Sequence, residues 1–116
     1  QPAARQLAAL KLALPERRRV GMLFGPESRA LEPAFQRAAV EAGLQLVVGR
    51  VEHADALGGT LQRTLEDSDV LLALADPAVF NNASVQNILT TAYRRRVPLA
   101  GFSPAYVRAG ALLAIY

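Results

Sequence analysis

Apolar residues recur along the chain at two rhythms, and the two alternate. Residues 2–14 place Leu7, Leu10 and Leu14 at helical spacing, with Pro2 near the first turn, where its missing N–H costs little. Pro15 ends that segment. Val20-Gly21-Met22-Leu23-Phe24 is then a short apolar run stopped by Gly25-Pro26, which suits a strand buried on both faces. Glu27-Ser28 predicts the start of a second helix, with Ser28 as its N-cap. Leu31, Phe35, Ala38, Ala39 and Ala42 form its expected buried stripe, and Gly43 suits the position just past its end.

The rhythm continues to the end of the chain. Residues 44–51 predict a second strand and residues 55–65 a third helix, weakened by Gly58-Gly59. Residues 69–75 give the clearest strand, stopped by Asp76-Pro77. A helix follows over residues 84–96, with Val85, Ile88, Leu89, Ala92 and Tyr93 on one face and Arg94-Arg95-Arg96 in its last turn. Residues 97–102 predict a fourth strand, 104–109 a short helix and 111–116 a fifth strand. Alternating strands and helices predict an α/β three-layer sandwich around a five-stranded parallel sheet, of flavodoxin-like or periplasmic-binding-protein-like type. The strand order expected is 2-1-3-4-5, with right-handed crossovers.

Composition narrows this picture. At 116 residues the chain is sized for one domain, and 52% hydrophobic with 20% charged residues is the balance of a globular core. No cysteine is present, which removes thiol chemistry, disulfides and cysteine-based zinc sites. The net charge of +3 is modest, and the basic residues are scattered apart from Arg17-Arg18-Arg19 and Arg94-Arg95-Arg96, so nucleic acid is not an expected partner. No apolar run reaches the roughly 18 residues of a membrane span. The start shows no basic region followed by an apolar stretch, as an export signal would. The last residues, Ile115-Tyr116, fall inside an apolar run, so the chain is expected to be a fragment.

Ligands of an open parallel sheet lie beyond the carboxyl ends of the strands, where strand order reverses. The residues that follow the strands are therefore the candidates. Gly25, Pro26, Glu27 and Ser28 follow the first, Glu52, His53 and Asp55 the second, Asp76, Phe80, Asn81 and Asn82 the third, and Ser103, Pro104 and Tyr106 the fourth. Polar groups with two aromatics on one edge have the composition of a small-molecule cleft. Each also has a structural reading. Asp76 before Pro77 is a helix-capping pattern, Ser28 and the asparagines are common caps, and Phe80 and Tyr106 are equally packing residues. His53, the one histidine, suits a solvated loop. The arginine triplets fall on the opposite edge, where a solvated face is expected.

Catalytic signatures are missing. Gly25-Pro26-Glu27-Ser28-Arg29 is neither a dinucleotide-binding turn nor a phosphate loop, and Ser28 or Ser103 with His53 and Asp76 lacks a nucleophile elbow. One histidine builds no histidine-based metal cluster. No catalytic residue, metal or cofactor is expected.

Three stretches, residues 19–26, 69–81 and 97–112, resemble proteobacterial ABC transporter substrate-binding proteins. They are similar to the group that includes tryptophan-transport-type binding proteins, with the type I periplasmic-binding fold. The resemblance implies the second lobe of a two-lobed, non-enzymatic protein that holds a small molecule between its lobes for an ABC permease. It implies a periplasmic location, with the export signal and the first lobe outside this sequence. It also implies ligand-binding roles for Asp76, toward an amine or hydroxyl, and for Ser103. Relatives often read Thr-Asp-Asn where this chain has Ala75-Asp76-Pro77, with its asparagines displaced to 81 and 82. Two other classes share the fold: the effector domain of a sugar-responsive regulator, which needs a DNA-binding segment upstream, and a small flavodoxin-like enzyme or phosphoacceptor.

Overall fold

The computed structural model describes residues 2–74 and 76–101. Helix α1 (Pro2–Ala13) leads to strand β1 (Arg19–Phe24). A 3-10 turn (Arg29–Leu31) precedes α2 (Glu32–Ala42), and β2 (Gln45–Arg50) follows. A second 3-10 turn (Ala54–Ala56) opens α3 (Leu57–Glu66). The remaining elements are β3 (Val70–Ala73), α4 (Val85–Arg94) and β4 (Leu99–Gly101).

All pairings are parallel, and the sheet runs β2-β1-β3-β4. The described residues therefore form four strands in the expected order. The fifth expected strand, residues 111–116, and the short helix before it lie outside the described residues. β1 pairs with β2 from Arg19↔Gln45 to Phe24↔Arg50, and with β3 from Val20↔Val70 to Met22↔Leu72. Strand order reverses between β1 and β3, so the loops leaving those two strands stand side by side.

Side-chain alternation along the strands divides the core into two layers. Val20, Met22 and Phe24 of β1, with Val70 and Leu72 of β3, pack on one face against Leu7 and Leu10 of α1 and Phe35, Ala38 and Ala39 of α2. Leu23, Leu71, Ala73 and Leu99 face the other way, against Leu57, Leu61 and Leu65 of α3 and Ile88 and Ala92 of α4. This is the expected three-layer arrangement. On the α3 side the approach is close: a methyl group at Gly21 would overlap the Ser68 hydroxyl, and one at Gly49 the Thr64 hydroxyl. Those hydroxyls are satisfied within the helix region, Thr64 donating to the Thr60 carbonyl at 2.8 Å and Ser68 to the Thr64 carbonyl at 2.6 Å.

Three local expectations are corrected. Ser28 does not cap α2, because the 3-10 turn intervenes and the hydroxyl bonds elsewhere. Leu31 is 47% exposed, since it belongs to that turn and lies before the helical stripe begins. Tyr93 is 69% exposed, one helical step beyond Ala92, which carries the buried face. The Gly43 expectation holds: it takes φ 74°, and its amide and that of Leu44 bond back to the carbonyls of Val40 and Ala39.

Candidate ligand-binding rim

The β1 exit is shaped by Gly25. The Arg29 amide donates to the Gly25 carbonyl at 2.9 Å, closing a tight turn over residues 25–29. Inside it, the Gly25 amide donates to Ser28 Oγ at 2.9 Å. The β3 exit forms a second turn, in which the amides of Val79 and Phe80 donate to the Asp76 carbonyl at 3.0 and 2.8 Å.

The Asp76 side chain joins the two. Its Oδ2 accepts the Ser28 hydroxyl at 2.7 Å, the Ser28 amide at 2.8 Å and the Glu27 amide at 3.1 Å. Its Oδ1 accepts the Ala78 amide at 3.0 Å, a short bond within its own turn. Asp76 is 1% exposed and Ser28 2%. Burial alone pushes the Asp76 carboxyl up; the Ser28 hydroxyl and the amides of Ser28, Ala78 and Glu27 outweigh it and hold the group below the ordinary aspartate range. The carboxylate is charged and charge-assisted bonds satisfy it. Gly25 is required beside it, because a Cβ there would lie 2.6 Å from Asp76 Oδ2.

Asn81 shapes the approach to α4. Its Oδ1 accepts the amides of Ala83 and Ser84, both at 2.9 Å, and its Nδ2 donates to the Pro77 carbonyl at 2.7 Å. Ser84 Oγ donates to the Val79 carbonyl at 2.6 Å. Phe80 is buried in the layer between sheet, α3 and α4. At the outer end of the rim, Arg50 at the close of β2 forms a forked pair with Glu32 in the first turn of α2, at 2.6 and 3.1 Å. Glu52, His53 and Asp55 are exposed beyond it.

The structure thus brings Ser28, Asp76, Phe80 and Asn81 to one edge of the sheet, at the reversal of strand order. Ser103 and Tyr106 lie outside the described residues. Sequence reasoning placed Gly25 and Glu27 at the first strand exit but missed that both belong to one unit with Asp76, Gly25 by close approach and Glu27 by its amide, and missed the Ala78 amide. Among the described residues no group of three or more histidine, aspartate or glutamate side chains is placed to hold a metal ion. None of their helices is long and apolar enough to cross a membrane.

A parallel α/β lobe whose loops converge at a strand-order reversal is a ligand-binding architecture. The ABC transporter substrate binding protein family matches residues 1–116, and the chain belongs to that family. Two solved structures share the fold. One is an ABC domain in complex with L-Trp from Streptococcus pneumonia, 19% identical with a TM-score of 0.80. The other is a conserved domain protein from Vibrio cholerae O1 biovar El Tor, 23% identical with a TM-score of 0.81. In each case 94% of this chain aligns, and it spans 37% of the other chain's length. No curated protein matches the chain by sequence.

Proposed function

We propose that this chain is one lobe of the solute-binding component of a bacterial ABC importer, exported to the periplasm, that holds a small molecule in a cleft between two lobes. The observation that carries this reading is the Asp76 junction: the exits of β1 and β3 are fastened together where strand order reverses, on one edge of the sheet. Membership of the substrate-binding family and alignment to little more than a third of two longer chains support a second lobe supplied elsewhere in the protein.

In this reading the lobes swing on a hinge, the ligand bridges them, and a permease recognises the closed form. Ser28, Asp76 and Asn81 contribute polar groups and Phe80 an apolar wall, and Ser103 and Tyr106, which come after β4 in the sequence, are proposed to join them. Ser28 and Asn81 act chiefly through the turns they hold, because their side-chain bonds are made within the rim. Asp76 acts chiefly by fastening the two exits, because it is 1% exposed and its carboxylate takes four donors from the lobe itself. No catalysis and no cofactor enters this mechanism.

A thermal-shift screen of the full-length protein tests it, with amino acids, aromatic acids and nucleosides as candidates. L-tryptophan heads the set because a structure of the same fold holds it. A specific ligand raises the melting temperature by mass action. This lobe alone is expected to bind the same ligand weakly or not at all, so micromolar affinity of the isolated lobe by calorimetry contradicts the two-lobe reading.

A further inference from the structure

A concavity lies at the other edge of the sheet, where the strands begin. It encloses about 510 Å³ and is lined by Arg17, Tyr93, Arg94, Arg96 and Pro98. Arg17 precedes β1, and the other four come from residues 93–98, the end of α4 and its connection to β4, so the walls belong to two chain segments distant in sequence. All charged groups among these lining residues are cationic. Arg17 is held in place, its guanidinium donating to the Asp69 carbonyl at 2.9 Å, while the Asp69 carboxylate is engaged by Arg19 and the amides of Arg18 and Arg19.

Arg96 adds an independent observation. The ends of α2 and α4 have the same hydrogen-bond pattern: the Gly43 and Leu44 amides return to Val40 and Ala39, and the Arg96 and Val97 amides to Tyr93 and Ala92. Both motifs need a left-handed residue, and α2 uses Gly43 at φ 74°. In α4 the place is taken by Arg96 at φ 59°, the one non-glycine residue with positive φ among those described. Cations anywhere in the last turn complement a helix dipole and need no such conformation. The chain holds an unfavourable backbone state that sets an arginine into the wall of the concavity.

We propose that this concavity is a second, cleft-independent binding site for a phosphate monoester carried on a small apolar group. Three guanidinium forks offer more donors than one carboxylate accepts, and a phosphate monoester brings close to two negative charges and three acceptor oxygens. The volume exceeds what a bare phosphate fills, and the Tyr93 ring and Pro98 supply apolar wall for the organic part.

The test uses the full-length protein at low salt, with phenyl phosphate as probe, inorganic phosphate beside it, and variants Arg96→Gly and Arg94→Gln. Phenyl phosphate is expected to raise the melting temperature and to bind at least threefold more tightly than inorganic phosphate by calorimetry. Arg96→Gly is expected to raise the melting temperature without ligand, by relieving the left-handed arginine, and yet to weaken phenyl phosphate at least tenfold. Arg94→Gln is expected to leave the unliganded melting temperature within a degree or so while weakening the probe to a similar degree. No binding by the parent protein, or unchanged affinity in both variants, overturns the proposal. So does a response confined to phosphatidylglycerol vesicles, which assigns the arginines to a lipid headgroup. Cleft ligands are unaffected by either variant, so failure here is distinguishable from failure of the importer reading.

Discussion

Ser28 donates its hydroxyl to Asp76 Oδ2 at 2.7 Å across 48 residues of chain, and the same oxygen takes the Ser28 amide at 2.8 Å. One residue of the β1 exit thus gives both of its donors to one residue of the β3 exit. Neither group reaches solvent to any useful extent, so every bond in the junction replaces one to water that folding removed.

The first prediction concerns that junction and pH. The Asp76 carboxyl has a folded-state pKa below its ordinary value, so its stabilising contribution is complete above about pH 4, the unfolded value, and is lost as pH falls through the folded value. Asp76→Asn turns an amide N–H₂ toward at least one of the four donors, so it is expected to cost roughly 2–3 kcal/mol at pH 7. The gap between variant and parent should narrow as pH drops from 5 to about 3. Asp69, also depressed below its ordinary range, acts with the same sign, which is why the difference between the two proteins is the quantity to follow by urea unfolding.

A second prediction follows from the close packing of β1 on α3. Gly21→Ala drives a methyl group into the Ser68 hydroxyl and against the Thr64 methyl at 3.0 Å, with an expected loss of about 1–3 kcal/mol. Removing the hydroxyl in the Gly21→Ala, Ser68→Ala double variant should recover part of that loss. Equal stability of single and double variants in guanidinium unfolding would point away from this contact.

Gly58 gives a gain. It sits in the first turn of α3, and a Cβ there would meet nothing within 4 Å. Alanine lowers the entropy of the unfolded chain and exposes less helix backbone to water, so Gly58→Ala is expected to add about 0.5–1 kcal/mol. Thermal unfolding of the two proteins in the same buffer decides it.

Gly43 behaves in the opposite way. Its φ of 74° is left-handed, and alanine has to carry the clash of Cβ with the carbonyl that follows. Gly43→Ala is expected to cost about 1–2 kcal/mol while leaving the far-UV circular dichroism of the folded protein unchanged.

The order of elements was legible because apolar runs and helical stripes are local signals. β1 reads as a continuous buried run and is one, from Val20 to Phe24. Gly43 announced the end of α2 for the same reason. Ser28, by contrast, carries the local signature of an N-cap, and the residue that competes for its hydroxyl is Asp76, brought near by the sheet. A pairing across 48 positions leaves no trace in a window of ten. Asp76 and Asn81 were singled out correctly as residues of the strand exits, yet their partners were invisible: Asp76 bonds chiefly to the neighbouring exit, whereas Asn81 folds back on its own turn. The arginines at the opposite edge read as a solvated surface, and the concavity they line and the backbone angle at Arg96 set them apart.

The Asp76 junction is built entirely from groups of this lobe. The freedom of the two turns is therefore surrendered when the lobe folds, and a guest arriving at the rim meets a preorganised surface instead of one it must first immobilise. Loosening the junction would show itself as a weaker grip on whatever lands there, even if no atom of Asp76 ever touched it.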